Sequence, residues 1–436
     1  MAKEWRNWAG DQRCLPARIE RPRGRGELVD AVQRATEAGL TVRGVGAGHS
    51  FTDAACTGGV MLRMDRLDRV LDVDRDAGLV KVEAGIGLRA LSEAIWGYGM
   101  ALENLGDIDK QTISGAISTA THGTGARFRN LSTLVEAVEL VLPDGTLFEI
   151  SADSEPELLP AVRVGLGALG VIATVTLRTV PAFTIRRIDS PLPLEETLER
   201  VQDLADGSDH FEFYVFPHTE TALLRQSQRT DEPPKPRNAL LEYGQEVVLE
   251  NWVIGGVSRL GRRLPARIPQ LSRFVASQVG KSTKIDRSYR VYASDRRVRF
   301  TEMEYAIPRR HAAEAARRVL DAAERAQPPV GFPIEVRFVA ADDSWLSPAN
   351  DRDTAYIAVH QFQGMSWESY FRSVEAIMLE YGGRPHWGKR HFQTAATLAE
   401  RYPHWEEFRA LRARLDPEGR FRNLYLDRVL GPVGSR

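Results

Sequence analysis

Two cysteines, Cys14 and Cys56, are all that 436 residues contain. That count excludes a CxxC metal or redox site and a disulfide scaffold, leaves at most one bridge, and makes a reducing compartment the simpler home. Long apolar runs are missing as well. No stretch approaches the ~20 residues a bilayer span needs. The first residues, MAKEWRNWAGDQ, turn polar at once with no apolar leader, so a soluble, cytoplasmic protein without a membrane span is expected. Net charge is almost nil, since 58 basic side chains oppose 59 acidic ones for a balance of -1. No field over the whole molecule would gather a polyanion, and nucleic acid is not expected as a partner. GxSxG, GxxxxGK[ST], SxxK and HExxH are also absent, which removes the most readable hydrolase, kinase and zinc-enzyme signals.

What remains is a folded chain, 43% hydrophobic and 27% charged. Its length exceeds the usual ceiling for one hydrophobic core and predicts two domains. RPRGRGELVDAVQRATEAGL (21–40) reads as a turn and an amphipathic helix, with Leu28, Val32, Ala35 and Leu40 on one side and Gly39 as a stop. Short strands follow at GGVMLRM, RVLDVD and GLVKVEAG. A second helix, GLRALSEAIWGYG, and a hairpin with a Pro-Asp-Gly turn over 134–150 come next. This glycine-rich mixed α+β region ends near residue 181. From 182 to 400 glycine thins out and aromatic residues increase. HFEFYVF, FTEMEYAI, PIEVRFVA and TAYIAVHQF are too polar at alternate positions for central parallel strands, and predict an antiparallel sheet with helices on one face. Those helices are placed at HAAEAARRVLDAAERA and SWESYFRSVEAIMLEYGG. Residues 228–240, QRTDEPPKPRNAL, read as a surface loop.

The chemistry concentrates in four places. RGVGAGHSF (43–51) puts glycines at 44, 46 and 48, a spacing that can form a nest of backbone N–H groups for phosphate, or only a tight turn. It is not the GxGxxG dinucleotide fingerprint, and no regular helix opens after it, so a nicotinamide site is disfavoured. LENLGDIDKQTISGAISTATHGTG (102–125) alternates hydroxyls with glycines and suits a long polar cofactor; His122 within it reads as a plain hydrogen-bonding residue. Glu335 and Arg337 lie two apart in a strand and share a face, either as an exposed ion pair or as a charged pair facing a cavity. His360, among apolar neighbours, reads by itself as a satisfied core residue. RPHWGKRHF (384–392) sets His386, Trp387, Lys389 and His391 around Gly388. Without a close third ligand, no metal is expected there. Lys389 can supply positive charge where negative charge develops.

RGVGAGHSF, ALENLGDIDKQTISGAISTATHGTG, IEVRFVAADDSWLSP and PHWGKRH together resemble the aldonolactone oxidoreductases of the vanillyl-alcohol-oxidase flavoprotein superfamily, over nearly the whole chain. That group includes L-gulono-1,4-lactone oxidases and dehydrogenases and D-arabinono-1,4-lactone oxidases, with alditol oxidases next. The resemblance implies a two-domain α+β flavoprotein fold of the PCMH type. Residues 1–181 would bind FAD, 182–400 would form the antiparallel-sheet substrate or cap domain, and 401–436 would return to the FAD-binding domain. It further implies FAD bonded covalently to His49, with Arg43, Gly44, Val45, Gly46, Ala47 and Gly48 around the diphosphate and Ser50 after the attachment point. Gly106, Asp109, Thr112, Ser114, Gly115, Ser118, Thr121, Gly123 and Ile172 would line the cofactor, and His386 and Trp387 would pack beside it. Glu335, Arg337, Lys389 and His360 would be the catalytic group, Glu335 as an orienting residue with a possible base role.

The activity implied is oxidation of an aldono-1,4-lactone such as L-gulono-1,4-lactone at its C2 hydroxyl by hydride transfer to flavin N5, giving an ascorbate-type product. Oxygen or a cytochrome- or quinone-type acceptor would take the electrons. In plant galactonolactone dehydrogenases an alanine stands at the position of Gly106, and glycine leaves more room for oxygen. Two alternatives stay open: an alditol oxidase acting at C1 of xylitol or sorbitol with hydrogen peroxide as by-product, and a noncatalytic binding module.

Overall fold

The computed structural model describes residues 3–235, 254–278, 280–294 and 298–434. Strands Arg18–Glu20, Val60–Arg63 and Val42–Val45 form a parallel three-stranded sheet in that order. Helix Arg25–Glu37 crosses between the first and last of these, because Leu28, Ala31, Val32 and Ala35 fall at helical spacing and are all buried. Gly39, with φ of +69°, ends the run in the left-handed conformation that glycine adopts freely. Five antiparallel strands follow, ordered 147–151, 135–141, 171–178, 79–83 and 70–74. The expected 134–150 hairpin is the pair Val135–Val141 and Leu147–Ser151.

The second half is built on an eight-stranded, wholly antiparallel sheet. Its order is 282–287, 184–193, 221–230, 210–215, 334–339, 354–362, 300–308 and 384–385. Alternation along its strands decides everything that follows. Phe211, Phe213 and Val215, Ile334, Val336 and Phe338, Ala355, Ile357 and Val359, and Met303, Tyr305 and Ile307 all enter one core with the helices Ala312–Arg325 and Glu368–Glu380. The alternate residues Glu212 and Tyr214, Glu335 and Arg337, His360, and Glu302 and Glu304 must point the other way, toward the first half. Strand register then sets Glu212 opposite Arg337, Tyr214 opposite Glu335, and Glu302 opposite His360.

A second core unites residues 28–177 with the later Trp387, Leu398, Tyr402, Trp405, Phe408 and the helix Leu424–Leu430. Cys14 and Cys56 are free and pack beside Trp5, Val45 and Met61. Burial, reinforced by the neighbouring Cys14, pushes the Cys56 thiol up to about 12. In the expected 228–240 loop, 228–230 complete the strand Thr221–Thr230 and 236–240 lie outside the described residues. Among the described residues, no helix is long and apolar enough to cross a membrane.

Candidate functional site

The strand Val42–Val45 delivers its glycine-rich continuation to the mouth of a cleft of about 1020 Å³. Arg43 through Ser50, Thr112, Ser114, Gly115, Ser118 and Ile172 all form its walls. Two glycines are obligatory for different reasons. A Cβ on Gly46 would overlap Thr112 Oγ1, and Gly48 has φ of +71°. Thr112 is itself fixed, because its hydroxyl accepts the Gly115 N–H at 3.3 Å and caps the helix Ile113–Ser118. Arg43 presents backbone to the cleft but not its charge. Its guanidinium donates to the carbonyls of Ala54, Leu166, Gly167 and Phe421.

His49 stands where this cleft meets a second cavity of about 500 Å³. Trp8 stacks on its ring at 5.4 Å, and its Nδ1 is buried without a partner. Burial, then the positive charges of Lys389 and Lys110, bring its pKa down to about 4, so the ring is neutral at physiological pH. The loop after it is stitched to the loop carrying Lys389: Phe51 N donates to Gly388 O at 2.7 Å, and Thr52 Oγ1 to Trp387 O at 3.4 Å. Two segments more than 330 residues apart thus make one wall.

The second cavity is walled by Gly106, Thr121, His122, Glu304, Arg337, His386 and Lys389 among others. Arg337 is buried, with its Nε 3.0 Å from Glu212, its Nη2 on Glu335 and 3.5 Å from Asp107. Burial opposes its charge, but the three carboxylates outweigh burial and raise its pKa well above the ordinary value. Tyr214 lies 2.9 Å from both Glu212 and Glu335. Lys389 Nζ meets Glu302 at 2.5 Å, and Glu302 also lies 3.5 Å from His360 Nε2. Burial would lower the Lys389 ammonium, yet Glu302 and Glu304 raise it, so it remains a cation. His360 therefore belongs to the charged face of the sheet, which corrects its reading as a core residue; its Nδ1 is 3.1 Å from Pro333 O.

Other expected site residues fall elsewhere. Asp109 pairs with Arg89 at 2.7 Å. Trp387 is fully buried in the first-half core and donates its indole N–H to Leu346 O. Gly123 lines a third cavity, of about 360 Å³, on the far side of Arg337. Glu302, Glu304, Glu212, Tyr214, Asp107 and Arg225 were not singled out in the sequence, and His122, read there as a plain hydrogen-bonding residue, lines the chamber. Glu302 and Glu304 in FTEMEYAI, and Glu212 and Tyr214 in HFEFYVF, repeat the two-residue spacing of Glu335 and Arg337, and that repetition is the signal that finds them.

His122, Glu304 and His386 bring possible ligand atoms within 4.8 Å of one another. His386 Nδ1 accepts the Gly388 N–H at 3.0 Å, which leaves the ring proton on Nε2 and makes that nitrogen a donor rather than a metal ligand. The His122 ring reaches Gly123 O through Nδ1 at 2.8 Å and Glu304 through Nε2 at 3.3 Å. Burial would raise the Glu304 carboxyl; His122 outweighs it and holds the group well below the usual carboxylate range. The cluster is a carboxylate held beside two histidine rings.

A long cleft with a bare-backbone wall, an unpartnered buried nitrogen and a charged chamber beyond it fits a dinucleotide with a redox ring, and residues 16–151 match the FAD binding domain family. These define an FAD-dependent oxidoreductase. Residues 175–429, more than half of the chain, match the D-arabinono-1,4-lactone oxidase family, so the chain belongs to the aldonolactone oxidoreductases. It is 54% identical to the L-gulono-1,4-lactone dehydrogenase of Mycobacterium tuberculosis, over 99% of this chain and all of that one. It is 34% identical to the L-gulonolactone oxidase of Mus musculus, over 98% of each, and 32% identical to an alditol oxidase of a Streptomyces species, over 97% and 98%. The fold matches that of a solvent-stable cholesterol oxidase with a TM-score of 0.82 at 19% identity, over 99% and 98% of the two chains.

Proposed function

We propose that the protein oxidises an aldono-1,4-lactone, with L-gulono-1,4-lactone the best candidate, at the C2 hydroxyl to an ascorbate-type product. The observation that carries this reading is Arg337, a buried cation held by Glu335 and Glu212 in a chamber that adjoins His49. Residues 1–181 with 401–436 form the FAD-binding domain and 182–400 the cap. The packing of Tyr402, Trp405, Phe408 and the helix Leu424–Leu430 into the first-half core supports this division.

Bound FAD supplies the hydride acceptor. The protein supplies the rest. Arg337 and Lys389 stabilise negative charge developing on the substrate oxygen and beside the ring, in a site where little water screens them. Glu335, engaged by Arg337 and Tyr214, orients the guanidinium, and the hydroxyl proton passes to solvent through the chamber. His360 positions Glu302 and, through it, Lys389. Positioning of this kind contributes several kcal/mol, order of magnitude.

His49 is the covalent tether: its unpartnered Nδ1 and depressed pKa make it a neutral nucleophile. Gly106 faces the chamber, with space for an added Cβ limited by His122 O at 3.1 Å, and leaves the ring open to oxygen. Peroxide formed per lactone oxidised tests that acceptor. Negligible peroxide with fast dye reduction assigns a cytochrome- or quinone-type acceptor instead. The cytoplasm is the proposed compartment. Turnover on L-gulono-1,4-lactone against xylitol tests the substrate, and a clear preference for the polyol would overturn the reading in favour of the alditol oxidase that the Streptomyces relative represents.

A further inference from the structure

Between Glu250 and Asp286 the sequence contains seven basic residues and no acidic one, in a chain whose charges taken as a whole nearly cancel. Much of this stretch forms two helices, Ile254–Arg263 and Ile268–Ser277, joined by a turn over Pro265–Arg267. Ile268 and Ser272 are buried; Ile268 packs toward Gly261 and Gly331, which fixes the inner face of the second helix. The outer face is unusual in both polar and apolar content. Leu260, Leu264 and Phe274 are 45%, 52% and 55% exposed, three of the seven large apolar side chains exposed among the described residues. Around them stand Arg259, Arg262, Arg263, Arg267, Arg273 and Lys281, all exposed. Among the described residues, none of these six forms an ion pair. Elsewhere on the surface several arginines are paired, as Arg317 is with Glu195 and Arg318 with Glu380, and among the described residues those without a partner are not gathered around exposed leucine and phenylalanine in this way.

We propose that this helical pair is a peripheral docking surface for an anionic phospholipid bilayer, with Leu260, Leu264 and Phe274 entering the interface while the arginines meet lipid phosphates. A solvated face would carry carboxylates beside its arginines. A nucleic-acid face has no use for exposed leucine and phenylalanine, whereas apolar residues flanked by unpaired arginines are what a headgroup interface takes up. The surface is also connected to the site. Arg262 lies 5.8 Å from the Phe362 ring and donates to Gln363 O; Gln363 donates to Ala9 O at 2.7 Å, beside the Trp8 that covers His49. Docking would hold the cap end of the chamber near the bilayer.

The test is cosedimentation of the flavin-loaded full chain with vesicles of phosphatidylcholine alone or with 30% phosphatidylglycerol, at low and high salt. At least tenfold more protein should partition onto the anionic vesicles at low salt, and high salt should release it. Arg259→Glu/Arg263→Glu/Arg267→Glu should weaken partitioning about a hundredfold, taking roughly fivefold per basic side chain. Leu264→Ser/Phe274→Ser should weaken it several-fold. Both variants should keep flavin absorbance and turnover, which shows that they fold. Absence of binding to anionic vesicles, or equal binding to neutral ones, would overturn the proposal. So would a Leu264→Ser/Phe274→Ser protein that binds like the parent, since a purely electrostatic patch would then suit an acidic protein as well.

Discussion

Removing the Lys389 ammonium isolates a charge that the fold has buried. In Lys389→Met, Glu302 retains only His360 at 3.5 Å in place of a partner at 2.5 Å. Breaking a buried ion pair from one side costs about 3–5 kcal/mol, because the remaining carboxylate has lost its solvent and its counter-ion together. For a domain the size of the cap, that corresponds to a melting temperature lower by about 10 °C. Glu302→Gln should cost less, since Lys389 still feels Glu304 and Asp107. Lys389→Met/Glu302→Gln removes both charges and should recover most of the loss. The assay is thermal unfolding followed by circular dichroism on all four proteins at matched flavin content, at pH 8 and pH 5. In the parent, burial would raise the Glu302 carboxyl, but Lys389 and His360 hold it below the usual value, so its contribution persists until the pH falls past that depressed pKa. In Lys389→Met burial prevails, the carboxyl takes up a proton as pH falls, and the deficit should shrink from pH 8 to pH 5. A double variant no more stable than Lys389→Met, or a deficit that does not change with pH, would refute the account of Glu302 as a charge dependent on Lys389.

Gly46→Ala should lower the flavin bound per chain at least tenfold, read from the ratio of visible to ultraviolet absorbance, because its Cβ displaces the Thr112 cap; adding Thr112→Ala should restore part of it. His49→Ala should release its flavin on denaturation while the parent stays yellow, and flavin still bonded in the variant would disprove the tether. Burial holds His386 down to about 3 and His210 to about 4, and His391 well below its ordinary value. These rings take up protons near pH 6.5 only once unfolded, so stability should fall as pH drops from 7.5 to 5.5, by about 1.4 kcal/mol per ring and roughly 4 kcal/mol for the three; calorimetry across that range checks it. Tyr214→Phe removes the hydroxyl shared by Glu212 and Glu335 and should reduce kcat/KM about tenfold, with flavin content unchanged.

Much of this architecture was legible because it rests on periodicity. The helix over 21–40 and the hairpin over 134–150 followed from apolar spacing and turn residues, and the polar alternation in HFEFYVF, FTEMEYAI and PIEVRFVA already implied a sheet with one greasy face. The identity of the partners across that sheet was not legible. Glu302 faces His360 and Glu212 faces Arg337 only because four strands distant in sequence adopt one register, and no local pattern encodes register between distant strands. His122 was underestimated for a related reason: its significance comes from Glu304, 182 positions away. Trp387 shows the opposite limit. A tryptophan inside a motif rich in functional residues invites a functional role, yet its volume is used to fill the core beneath the loop that presents Lys389.

The contacts of Arg43 bear on when the protein can mature. Its guanidinium holds Phe421 O across 378 positions, and Val42 N donates to Arg420 O. One wall of the nucleotide cleft is therefore a segment that leaves the ribosome long after the glycine loop it supports. The cleft is complete only once residues 420 and 421 have come back to Val42 and Arg43, so its shape depends on both ends of the chain.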